Sequence, residues 1–203
     1  MEDIAMAVEN ILEIFSRATE WDRASGRDWY FGAWDWCKRT ASEYNVTPEH
    51  VAGLVAILSP RNRWVTNLRD AEGVLEAVRN GETPMNFTAH TTNKFKFRAF
   101  DFAITGDFDL IRGQKVNSFF DNITRPHESE EVTVDVWAER ISIGDLHQPG
   151  STLTAKRYQA LVEEYREAAA ALGLRPLVLQ AITWVVARRL AKVRTTGKQL
   201  PLF

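Results

Sequence analysis

A single cysteine, Cys37, stands in a chain of 203 residues. That excludes an internal disulfide and any zinc or iron–sulfur site built from four thiolates. The histidines are few as well: His50, His90, His127 and His147 fall without the short spacings of a metal site. No metal and no cofactor is therefore expected. No apolar run approaches the roughly 20 residues needed to cross a bilayer. The opening MEDIAMAVEN carries acid where a secretory signal would carry Lys or Arg. The expectation is a cytoplasmic chain with no membrane partner. Positive charge is not in excess either, since 25 Lys and Arg face 27 Asp and Glu for a net −2. A protein that coats nucleic acid without selection is usually basic, so that class is disfavoured. Period-two alternation of apolar and polar residues is scarce, which argues against a sheet.

What the chain has in plenty is tryptophan: seven in all, with Trp21, Trp29, Trp34, Trp36 and Trp64 in its first third. The hydrophobic share of 45% and charged share of 26% are those of an ordinary globular protein. The length suits a single compact domain over 1–203, with lobes expected at 46–131 and at 1–45 plus 132–203. Charge is unevenly spread. NKFKFR (93–98), Arg112 with Lys115, and ARRLAKVRTTGKQ (187–199) are basic, while acids gather in 1–20, 128–139 and 163–167. Such clusters read equally as solvated helix faces or as local grips for an anion.

Helical periodicity runs through most of the chain. Ile4, Val8, Ile11, Leu12 and Phe15 share a face of a first helix reaching Thr19. Ser25 or Asp28 is the expected cap of a second, which runs to Tyr44. TPEHVAGLVAILSP has a cap, a proline at the first helical position and a stop before Pro60. Further helices are expected over 64–80, 92–105, from Gly113, over 135–143, 154–172 and 176–193. The expected class is all-α. After it, the tail TTGKQLPLF turns from polar to apolar, a segment that either packs back or binds a partner.

VTVDVWAERI (132–141) sets one carboxylate, Asp135, inside an apolar run. A strand tolerates that poorly, whereas the start of a helix gains from it through capping and the helix dipole. Lys115 lies 20 residues earlier (135 − 115), near the start of the preceding helix. A primary amine and a carboxylate on two such helix starts suit attack at an electron-poor carbon. The amine can form a Schiff base, and the carboxylate can take a proton or stabilise a sugar cation. A surface lysine and a simple capping aspartate explain the same spacing.

In order, VAGLVAIL with SPRNRWVTNLRDA, then TNKFKFRAFDF, then GQK, then VDVWAER resemble landmarks of the helix-hairpin-helix DNA glycosylase superfamily, the endonuclease III-like fold. In that family an apolar helix ends in a Leu-Ser-x-Gln type turn. An Asn-x-Lys helix, a Gly-Val-Gly-x-Lys hairpin and Val-Asp-Thr-His-x-x-Arg follow. The resemblance spans residues 51–140. It implies a two-lobed helical fold with the active site in the cleft between the lobes, and DNA, duplex or single-stranded, as partner. On it Lys115 matches the Schiff-base lysine of the bifunctional members, Asp135 the catalytic aspartate and Arg140 the arginine of the same motif. The departures are specific. Ile111 stands where the hairpin has its first glycine, leaving Gly113; Trp137 replaces the histidine, and Arg61 replaces the glutamine. GRDWY before the core and LQAITWVVARR after it are similar to a divergent branch common in bacteriophage genomes, which would place the protein in the host cytoplasm. That branch includes enzymes that attach an amine or amino acid to an activated 5-hydroxymethyluracil.

The remaining candidates follow from this frame. Arg61, Arg63, Lys94, Lys96, Arg112, Gly113 and Gln114 are expected to hold DNA phosphates, with Asn62 and Asn67 bonding backbone or base and Trp64 stacking. Trp29, Trp34, Trp137, Gln180 and Trp184 are the candidates for lining a pocket for an extruded base, against core packing as the plainer role. Three functions stay open: cleavage of the N-glycosidic bond, transfer of a small amine or amino acid to the base, and non-catalytic binding of DNA or protein. The net charge and the altered hairpin favour the last; retention of both Lys115 and Asp135 favours the first two.

Overall fold

The computed structural model describes residues 2–150 and 152–196, and every regular element in them is helical. The helices are α1 (Glu2–Ser16), α2 (Glu20–Tyr44), α3 (Pro48–Leu58), α4 (Trp64–Arg79), α5 (Asn93–Thr105), α6 (Gln114–Thr124), α7 (Val136–Ile143), α8 (Ala155–Leu172) and α9 (Pro176–Thr196). A short 3-10 turn at Phe108–Leu110 precedes α6. The all-α class is as expected, and no single described helix is long and apolar enough to cross a membrane. Most of the tail, residues 197–203, lies outside the described residues.

The chain divides into two compact units, residues 1–29 with 129–203 and residues 30–128, and the first boundary falls inside α2. In the first unit α1 lies against α7, α8 and α9. Val8, Ile11 and Ile14 of α1 meet Ile141 of α7, Leu161 and Tyr165 of α8, and Leu179, Ile182 and Val186 of α9 in one buried cluster. α8 stops at Gly173, whose φ of 63° suits the left-handed end of a helix. Pro176 then opens α9 where a missing N–H does no harm.

Two buried charges tie this unit together. Asp22 is fully buried and receives Arg189 Nη2 at 2.7 Å and Nε at 3.1 Å. Glu164 accepts Arg157 at 2.5 Å and the Ser142 hydroxyl at 2.6 Å. Neither carboxylate is left unpaired in the low-dielectric core, where a bare charge costs several kcal/mol.

The start of α2 corrects the sequence expectation. Ser25 and Asp28 do not cap it; both lie in its interior. The helix begins earlier because Thr19 and Asp22 cap reciprocally: Thr19 N donates to Asp22 Oδ2 at 2.9 Å, and Asp22 N donates to Thr19 Oγ1 at 3.1 Å. Gly26 reads as a helix breaker, yet it is needed for packing. A Cβ there would stand 2.5 Å from Ile182 Cα.

In the second unit α3 is the central helix, with α4, α5 and α6 around it. Residues 51–58 are all buried, as a helix apolar on every side must be. Thr47 caps it by accepting from His50 N at 3.1 Å, and Pro48 is its first residue. Gly53 lets the Phe102 ring of α5 lie on the α3 backbone, since a Cβ would come within 2.5 Å of that ring.

Candidate active-site residues

The approach to Asp135 is a non-helical stretch with Val132, Thr133 and Val134 buried. Its backbone finds its partners in a side chain of α8. The Tyr158 hydroxyl accepts from Val134 N at 3.3 Å and donates to Val132 O at 3.2 Å. One phenol thereby satisfies two buried backbone groups and fixes the direction from which the chain enters α7. Asp135 is the N-cap of α7, with Oδ1 accepting from Trp137 N at 2.9 Å and Ala138 N at 3.0 Å. Both bonds fall on Oδ1, and none of the hydrogen bonds among the described residues uses Oδ2. The carboxylate is half-buried, anchored by one oxygen and uncommitted at the other.

The Asp135 charge is felt at the hydroxyl of Tyr165 on α8. This side chain is fully buried, and burial above all raises its pKa; the Asp135 and Glu164 charges push the same way, while the bond with Thr183 opposes them. Tyr165 therefore stays a neutral phenol. Thr183 Oγ1 donates to Leu179 O at 3.0 Å, so across the 3.3 Å contact the Tyr165 hydroxyl is the donor and Thr183 the acceptor. Gln180 is buried one turn earlier on α9.

Lys115 belongs to the first turn of α6, whose N-cap is Gly113 with φ 106° and ψ 139°. Only glycine enters that region readily, so one glycine of the expected hairpin is required by its backbone. Ile111, where the other was expected, has φ −79° and is buried. Lys115 Nζ donates to Ser59 O at 3.4 Å, at the turn between α3 and α4.

That turn is tightly held. Arg61 has φ 60°, a left-handed conformation uncommon outside glycine. Asn62 Nδ2 donates to Asp70 Oδ2 at 2.8 Å; the same oxygen accepts from His90 N at 2.8 Å, and Asp70 Oδ1 meets His90 Nδ1 at 2.9 Å. Thr91 Oγ1 donates to Pro60 O at 2.7 Å, and Asn67 Nδ2 donates to Val55 O at 2.9 Å. These bonds fix the two asparagine amides, and their oxygens, Asn62 Oδ1 and Asn67 Oδ1, are buried without a partner, as is Ser59 Oγ. Buried polar atoms nearly always have a partner, which makes this cluster around one turn unusual within the fold.

The other expected contacts separate by position. Arg61, Arg63, Lys94, Arg112 and Gln114 are exposed. Lys96 instead turns inward, with Nζ donating to Phe87 O at 3.0 Å. In the second unit Trp64 meets Phe119 edge-on at 6.5 Å, and Trp34 is half-buried. In the first, Trp29 meets Trp184 edge-on at 5.8 Å, with the Arg188 guanidinium 4.3 Å from the Trp184 ring centre. Arg140 lies over Trp137 at 4.9 Å, and its Nε donates to Gln148 O at 2.7 Å. Among the described residues no group of His, Cys, Asp and Glu could hold a metal ion.

Sequence reasoning missed the groups that support the two helix starts: Tyr158, Tyr165, Asp70 and His90. The seven-residue spacing of Tyr158 and Tyr165, two turns on one face of α8, was the available signal. No curated protein and no solved structure matches the chain. A family model matches residues 2–191, so the chain belongs to DUF7178, a family of unknown function.

Proposed function

We propose that the protein is a DNA-base enzyme of the helix-hairpin-helix glycosylase type, which takes an extruded base and cleaves its N-glycosidic bond. The observation that carries this reading is the divided use of the Asp135 carboxylate: Oδ1 holds α7, and Oδ2 remains for a substrate. A cap alone needs only one oxygen. The second support is Lys115, a half-buried amine at the glycine-capped start of α6.

In this reading the Lys115 side chain first gives up its ammonium proton to solvent, and the free amine attacks C1′ of the sugar. The C1′–N bond breaks, its electron pair leaves with the base, and the base takes up a proton. Asp135 stabilises the positive charge growing on the sugar and accepts the proton that the attacking amine loses. Ring opening gives a Schiff base between Lys115 and C1′. Arg61, Arg63, Lys94, Arg112, Gly113 and Gln114 supply phosphate contacts, and Trp29, Trp34, Trp64, Trp137, Gln180 and Trp184 are the candidates to stack or line the extruded base.

One observation favours a second reading. The orphan oxygens of Asn62 and Asn67 are acceptors and the Ser59 hydroxyl can accept or donate, a set that suits a small amine or amino acid. A transferase that joins such a group to an activated 5-hydroxymethyluracil, leaving the glycosidic bond intact, would use them.

Mass spectrometry of free bases and nucleosides separates these readings. The protein and its Asp135→Asn variant are incubated with unmodified DNA and with phage DNA carrying modified thymine, with and without candidate amines. Base release by the native chain alone supports cleavage. Borohydride should then trap the protein on DNA, and Lys115→Ala should abolish trapping. A changed nucleoside mass without base release moves the case to the transferase. Neither product overturns both and leaves a non-catalytic binding protein.

A further inference from the structure

Residues 199–203, QLPLF, take no part in the chemistry above and contrast with what precedes them. Residues 187–198 carry Arg188, Arg189, Lys192, Arg194 and Lys198, whereas 199–203 hold no charge and three large apolar side chains, Leu200, Leu202 and Phe203. Pro201 has no backbone N–H and a fixed φ, which disfavours helix and suits an extended peptide. An extended peptide of this sequence would offer Leu200 and Leu202 on one side and Phe203 on the other as apolar anchors, with Gln199 as a polar group beside them. Short peptides with this pattern bind by placing alternate side chains in apolar pockets.

A second observation concerns how the chain would hold DNA. Its net charge is −2. Several cations are also spent within the fold: Lys96 on Phe87 O, Arg98 on Arg112 O, Arg140 on Gln148 O, Arg157 on Glu164 and Arg189 on Asp22. Affinity for duplex grows with each phosphate neutralised, so this chain alone binds DNA weakly. Tethering to a partner already on DNA raises the local concentration and gains about 10²–10⁴ in avidity without a new DNA contact.

We infer that residues 199–203 dock in an apolar surface groove of a protein ring that encircles and slides along duplex DNA. A partner fixed at one sequence would confine a base enzyme to that site, whereas a sliding ring presents every position to it. This rests on the DNA-directed reading above.

The test uses the full chain and a Leu202→Ala/Phe203→Ala variant, with a purified bacterial replication clamp as the probe. Binding to the immobilised clamp is measured without DNA, so its outcome does not depend on catalysis. The native chain binds, and the variant binds at least about thirtyfold more weakly, as loss of buried apolar anchors in an interface produces. Absence of binding by the native chain, or equal binding by the variant, overturns the inference. Base release from a closed circle loaded with the clamp should exceed that from the bare circle for the native chain but not for the variant. Equal native rates with and without the clamp also overturn it. Clamp binding with no base released from any DNA would leave the docking standing and sink the glycosylase reading alone.

Discussion

Replacing Asp135 by asparagine and by alanine separates its structural role from its chemical one. The two N–H groups of α7 that it caps are Trp137 N and Ala138 N, both bonded to Oδ1. Asparagine has an oxygen at the same position and caps helices about as well as aspartate. Its variant loses only the attraction between a negative charge and the positive helix end, about 0.3–1 kcal/mol. Alanine loses the acceptor as well, at about 1–2 kcal/mol in total, because α7 has only eight residues and Asp135 is its N-cap. For a protein of this size 1 kcal/mol moves the midpoint of thermal unfolding by about 2–4 °C. Asp135→Ala should therefore melt about 2–8 °C below the native protein, and Asp135→Asn about half as far or less.

Activity should not follow that order. In the proposed glycosylase reading, base release needs the charged oxygen that the cap leaves over, so both variants should lose it, by 10²-fold or more as an order of magnitude for a positioned acid–base group. The assays are thermal melts by circular dichroism and base release under single-turnover conditions. An asparagine variant that keeps near-native turnover would refute the chemical role, whatever its stability. One that melts with the alanine variant would refute the capping account.

Two further predictions concern the fold. Gly26→Ala should destabilise by about 1–3 kcal/mol, since its Cβ would stand 2.5 Å from Ile182 Cα, while Gly32→Ala in the same helix, with nothing within 4 Å, should gain up to about 1 kcal/mol from helix propensity; urea denaturation of both checks the sign. At Asp22 burial acts to raise the pKa, and the bonds from Arg189 and Thr19 outweigh it, holding the carboxyl below its ordinary value. Stability from this group is thus fully present above the unfolded pKa of about 3.9 and lost as pH falls through the lower folded value. Asp22→Asn should cost about 3–5 kcal/mol at pH 7, leaving Arg189 unmatched, and should show a shallower loss of melting temperature between pH 5 and pH 2 than the native chain. Parallel curves would contradict this.

What could be read from the sequence divides along the range of the forces involved. Thr47, Gly113 and Asp135 act on backbone groups within a few residues of themselves, and α3, α6 and α7 begin where those residues predict. The start of α2 was less legible because three capping candidates compete there. Thr19 wins by its reciprocal bonds with Asp22, and the carboxylate is further fixed by Arg189 on α9. Gly26 shows the same limit. Its meaning as a contact rather than a break depends on Ile182, which no local window contains.

The same division explains the basic residues. Sequence clusters of Lys and Arg read as anion grips, but a guanidinium within reach of an unfilled carbonyl or buried carboxylate is drawn to it first. Arg140 beside Gln148 O, Lys96 beside Phe87 O and Arg189 beside Asp22 are each held by an acceptor from another part of the chain. The exposed set that remains, Arg61, Arg63, Lys94 and Arg112, lies in the second unit together with Lys115. The first unit carries Asp135 and spends Arg140, Arg157 and Arg189 on its own backbone and carboxylates. In the DNA-directed reading, the exposed cations of the second unit supply phosphate contact. Charge reversal at Arg61 or Arg63 should then raise KM with little change in kcat, whereas changes at Asp135 should act on kcat.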